Sequence, residues 1–171
     1  MQLRLKKKSE TETAFTCVRA DGTWTGASLG RGDGYFPAHD LAHYVVETSL
    51  GLTGGFLGLL DRGWDVADFE VGAVTRFRTE PDGAQAVLAE HLAGGLSAEM
   101  FSGNCIPADE WNRVLQEACA GFPGGTEIPA CSEEQLDGLR AELRRLLDVW
   151  ERVPYGETLE LQFPSPAPRS S

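Results

Sequence analysis

A chain of 171 residues with 42% apolar and 24% charged side chains is long enough to bury a core without disulfide or metal staples. Its formal net charge of −11 opposes a phosphate backbone, and outside Lys6 to Lys8 no dense basic run offsets that charge, which argues against nucleic acid as a partner. The longest apolar run, LGLTGGFLGLL, is far short of the roughly 20 residues that a membrane span needs, so no membrane partner is expected.

The basic start MQLRLKKKSETET is followed by no apolar segment and no small-residue cleavage site, so it does not read as a signal peptide and the expected compartment is the cytoplasm. QLRLK alternates Leu3 and Leu5 with Arg4 and Lys6, AFTCV is aromatic and β-branched, and DGTWTGASLG opens on a turn dipeptide. Together they predict a three-stranded antiparallel meander. RGD at 31–33 reads as a turn sequence and carries no adhesion signal in such a setting.

Helical signals follow. Pro37 suits a first turn and Gly51 a helix stop, while Thr53 is placed to cap a second helix carrying Phe56, Leu57, Leu59 and Leu60 and ending near Gly63. FEVGAVTRFRT alternates enough for a strand or a long connection, and PDGAQAVLAEHLAGGL resumes helical character. Residues 107–120 have Pro, Asp and Glu in their first turn and Gly121 past their end, which marks a short helix. A Pro- and Gly-rich loop spans 122–131. Ser132 and Gln135 then form a capping box ahead of a stripe of Leu136, Leu139, Leu143, Leu146, Leu147 and Trp150, and Pro154 closes that helix. TLELQF alternates again with its outward charge reversed, so Glu160 faces Arg4 or Lys6 if the last strand pairs with the first.

The expected architecture is one α+β domain over 1–163. A small antiparallel sheet from the N- and C-terminal strands is covered on one face by four or five helices. PSPAPRSS at 164–171 reads as a disordered tail. The four cysteines, Cys17, Cys105, Cys119 and Cys131, lie far apart with no C-x-x-C pair, and read as free, mostly buried thiols.

Chemistry concentrates in GYFPAHDLAHYVVETSLG, residues 34–51. With His39 as origin, His43 lies at roughly 40° and Glu47 at roughly 80° on the helix wheel, with Asp40 at roughly 100°. Leu41, Val45, Val46 and Leu50 occupy most of the remainder, so the polar side borders the buried face. Two imidazoles at i and i+4 suit one divalent ion, zinc or manganese, and Glu47 one turn later is the expected third ligand. Asp40 stands where a zinc protease has a glutamate base, which gives it the role of base or ligand orienter. His91, the remaining histidine, belongs to another predicted helix. GLTGG at 51–55 offers backbone amides to an anion at a helix start, although helix stop, cap and close packing account for its glycines more simply.

The segment FPAHDLAHYVVETSLGLTGGFLGLLDRGWD resembles one shared by a group of short bacterial proteins, in which H-D-x-x-H is followed by an aromatic residue, V-E and a G-L…G-F helix start. The resemblance covers about 30 residues and brings no activity with it. It implies that His39, Asp40, His43, Tyr44 and Glu47 belong to one recurring unit. Two readings follow. One is a divalent-metal-binding protein, as an enzyme a hydrolase with a small-molecule substrate. The other is a non-enzymatic, self-associating interaction protein, a homo-oligomer with structural histidines and an acidic surface that meets a basic partner.

Overall fold

The alternating segments at both chain ends meet in one four-stranded antiparallel sheet in the computed structural model, which describes residues 1–30, 35–69 and 72–164. Its strands are β1 (Gln2–Lys7), β2 (Glu12–Val18), β3 (Trp24–Gly30) and β4 (Thr158–Gln162), in the order β3-β2-β1-β4. Arg4 lies opposite Glu160, and Arg4 Nε stands 3.2 Å from Glu160 Oε1, the pairing that the reversed charge predicts. Period-two alternation buries Leu3, Leu5, Phe15 and Cys17 on one face and leaves Arg4 and Lys6 exposed on the other.

Six α-helices lie among the described residues: α1 (Tyr35–Leu50), α2 (Phe56–Asp61), α3 (Ala73–Phe77), α4 (Gly83–Ser102), α5 (Ala108–Cys119) and α6 (Glu133–Arg152). The number exceeds the four or five expected because α2 and α3 are single short pieces. The central helix α1 packs against α2, α4 and α6. Ala84, Ala86, Ala89 and Ala93 are buried on α4, which packs against α1. α6 starts in the expected capping box, with Ser132 Oγ accepting from Gln135 N at 3.2 Å and Gln135 Oε1 from Ser132 N at 2.9 Å. Leu136, Leu139, Leu143, Leu146 and Trp150 are buried along its stripe.

Two local expectations change. The cap of α2 is Gly55 and not Thr53. FEVGAVTRFRT is neither a strand nor a long connection in its described part: Val66–Phe69 is a 3-10 turn and Ala73–Phe77 is α3, with Gly72 at φ 91° between them. Its alternating aromatics pack on Trp64 instead of pairing along an edge, Phe69 and Phe77 having ring centroids 5.2 and 5.9 Å from that of Trp64. RGD at 31–33 and residues 165–171 of the expected tail lie outside the described residues.

Cys17, Cys119 and Cys131 are buried, Cys105 is exposed, and all four are free. Burial, reinforced by the Asp40 charge, pushes the Cys17 thiol up to about 12, so it packs as a small apolar group. No described helix is long and apolar enough to cross a membrane.

Candidate metal centre

The 3.6-residue period of α1 stacks His39, His43 and Glu47 along the side turned towards α2 and α4. His43 is 2% exposed. Its Nε2 lies 3.2 Å from His39 Nε2 and 3.2 Å from Glu90 Oε2, while His39 Nε2 lies 3.4 Å from Glu90 Oε1. Bonds of about 2.0 to 2.2 Å to a four-coordinate ion set its ligand atoms roughly 3.3 to 3.6 Å apart. Two imidazole nitrogens and a carboxylate therefore already stand about one coordination edge from each other, a group able to hold a metal ion.

The far side of His43 fixes how that nitrogen is presented. His43 Nδ1 faces Glu47 Oε1 at 3.2 Å, and an ionised carboxylate only accepts, so Nδ1 carries the proton and donates it. A neutral His43 then aims its Nε2 lone pair at the Glu90 carboxylate, which is repulsive without a cation between them. A second proton or a metal ion relieves it. Burial pushes His43 towards the neutral form, but Glu47 and Glu90 outweigh it and raise the imidazole to about 9. The contacts with His39 and then His43 hold Glu90 well below the usual carboxylate range.

Glu47 does not join this cluster. It is 1% exposed, and its Oε1 and Oε2 accept from Leu57 N and Gly58 N, each at 3.0 Å. The amides at the start of α2 are thus taken by a carboxylate of the same chain, while the Thr53 and Gly54 amides of GLTGG donate to Gln85 Oε1 at 3.0 and 2.9 Å. Expected as the third ligand, Glu47 instead orients His43 from behind, and Glu90 of α4 stands beside both histidines. Glu90 escaped the sequence reading because α4 packing, not spacing along α1, brings it in. One signal was present: Glu90 is the only carboxylate between Gly83 and Ala98.

Asp40 is 7% exposed, and among the described residues nothing hydrogen-bonds its Oδ2. Burial pushes its carboxyl up to about 7, with the His43 charge pulling against this and the Glu90 charge adding to it. Asp40, His39, His43 and Glu90 line a cavity of about 610 Å³ whose other walls include Phe56, Val66, Phe69, Val74 and Phe77. Two residues of the neighbourhood stand apart. Tyr44 Oη donates to the Gln162 carbonyl at 3.2 Å and ties α1 to β4, while His91 Nδ1 lies 2.9 Å from the Val87 carbonyl on its own helix.

Compared with family models, with curated proteins and with solved structures, the chain finds no match. None of these comparisons bears on the resemblance expected for residues 36–65.

Proposed function

We propose that this protein binds one divalent transition metal, zinc or manganese, through His39, His43 and Glu90, and hydrolyses a small molecule in the adjoining cavity. The observation that carries the reading is the set of 3.2, 3.2 and 3.4 Å separations among ligand atoms supplied by two different helices. A divalent ion held there supplies Lewis acidity and lowers the pKa of a bound water. The residues do the rest. Glu47 keeps the proton of His43 on Nδ1 and so frees Nε2. Asp40, which lines the cavity and has a buried oxygen without a hydrogen-bond partner among the described residues, is the group we assign to take or give a proton at the reacting centre. The acidic surface suits a small-molecule substrate better than a nucleic acid, and the free thiols suit the cytoplasm.

A second reading is favoured by one observation: an imidazolium at His43 between Glu47 and Glu90 closes the network without any ion. The histidines are then structural and the protein is a self-associating binding module. Metal titration separates the two. After chelator treatment, zinc or manganese should raise the melting temperature of the parent, since a ligand that binds the folded state alone stabilises it. His39→Ala and Glu90→Gln should abolish the shift, and Glu47→Gln should weaken affinity about 10- to 100-fold while leaving a shift at higher metal. A parent that melts at the same temperature with and without both ions overturns the metal reading. Sedimentation of the same samples reports self-association.

A further inference from the structure

We propose that the cavity receives a small molecule with an aromatic or branched-aliphatic body and a hydroxyl-bearing head, the body seated among Phe56, Phe69 and Phe77 and the head at Asp40 and the histidine–glutamate cluster. The inference rests on the metal reading for the head alone. The body is argued from the walls.

Three observations carry it. The volume of about 610 Å³ lies within the range of small-molecule sites, roughly 300 to 1,000 Å³, and exceeds what a metal and its waters need. The apolar wall is continuous with the chemistry: the His43 and Phe56 ring centroids are 5.0 Å apart, Phe56 and Phe69 4.6 Å, and Phe69 and Phe77 6.2 Å. A guest with its polar end at His43 therefore meets aromatic surface along the rest of its length. Asp40 lines the same cavity, and its Oδ2, itself buried, has no hydrogen-bond partner among the described residues, although a buried polar atom ordinarily has one. A guest hydroxyl that seats against Asp40 and opens the packing over Oδ2 satisfies it. Val74, 58% exposed and on the lining, marks where such a molecule enters.

The test compares acetohydroxamic and benzohydroxamic acid, which share a metal-binding head and differ in the phenyl body, by calorimetry on the zinc-loaded protein. Benzohydroxamic acid should bind roughly tenfold tighter or more, because its ring leaves water for the aromatic wall. Val74→Trp, which obstructs the entrance, and Phe69→Ala, which removes part of the wall, should each shrink that ratio towards one. Equal affinities in the parent overturn the inference while leaving the metal site intact. If the protein takes up no metal, the metal reading fails and the cavity is tested in the metal-free protein. There toluene and benzyl alcohol should each raise the melting temperature, and benzyl alcohol should lose its advantage over toluene in Asp40→Ala. No stabilisation by either molecule overturns the inference independently of any ion.

Discussion

Glu47 and Gly55 occupy the same space so closely that a Cβ on residue 55 would overlap the Glu47 carboxyl group. The glycine is required for what it lets approach and not for its backbone angles, since its φ of −75° is open to any residue. Its missing side chain is what lets a carboxylate from α1 reach the Leu57 and Gly58 amides and still face His43.

Gly55→Ala should therefore act on stability and on the site together. Displacing Glu47 breaks two amide contacts and loosens His43, at a cost of about 1 to 3 kcal/mol by the usual scale of overpacking, with weaker metal binding alongside. Gly94→Ala is the contrast. A Cβ there meets nothing within 4 Å, and Gly94 lies inside α4. It should be neutral or stabilising by about 0.5 to 1 kcal/mol through helix propensity. Urea unfolding of both variants decides the point, and a Gly55→Ala protein as stable as the parent would show that Glu47 has another place to go.

Much of the frame is legible in the sequence because its signals are local. The alternation of QLRLK and TLELQF, with opposite outward charges, is enough to pair β1 with β4, and the capping box with its leucine stripe is enough to place α6. His39, Asp40 and His43 are legible for the same reason, one helix period setting their spacing. Glu90 is not, since its position beside them depends on the packing of α4 against α1. The role of Glu47 was hidden by a comparable ambiguity. Spacing on α1 shows that it lies near the histidines, but only the path of the chain through Gly54 and Gly55 shows that both its oxygens are engaged elsewhere. FEVGAVTRFRT misleads because alternating aromatics suit a half-buried strand and a cluster around Trp64 equally well.

A second buried carboxylate holds α4, α5 and α6 together without any part in the site. Glu99, 3% exposed, accepts from Arg140 Nε at 2.8 Å, Ile106 N at 2.7 Å and Trp111 Nε1 at 3.2 Å. Burial pushes Glu99 up, but the Arg140 guanidinium and these donors outweigh it and hold the carboxyl below its usual range. A depressed acid stabilises the fold at pH values above the ordinary carboxylate range, and that contribution is lost as the pH falls through the lowered value. Glu99→Gln leaves the buried Arg140 with only the exposed carboxylates of Asp137 and Glu133, at 3.0 and 3.8 Å, and should cost up to about 3 kcal/mol at neutral pH. The difference from the parent should narrow in acid, and replacing both residues by methionine should recover much of the loss. Denaturant unfolding at several pH values reads this. A single variant as stable as the parent at pH 7 contradicts the role given to the pair.

The pH dependence of the metal-free protein follows from His43 and Asp40, and metal should reverse its upper part. In the fold His43 is raised from 6.5 to about 9, so the native state keeps a proton that the unfolded chain releases between those values. The stability this contributes is complete below the lower value and is lost as the pH rises through the upper one. Asp40, raised from 3.8 to about 7, likewise holds a native proton that the unfolded chain gives up, so stability declines with rising pH across that lower window too. Melting temperatures should fall through both intervals, Asp40→Asn flattening the lower and His43→Gln the upper. A divalent ion has to displace the extra proton on His43, so its affinity should increase with pH until about 9 and then level off. The gap between metal-loaded and metal-free melting curves should accordingly widen from pH 6 towards 9. Metal affinity that stays constant across that interval means that the ion does not bind at His43, whatever else it binds.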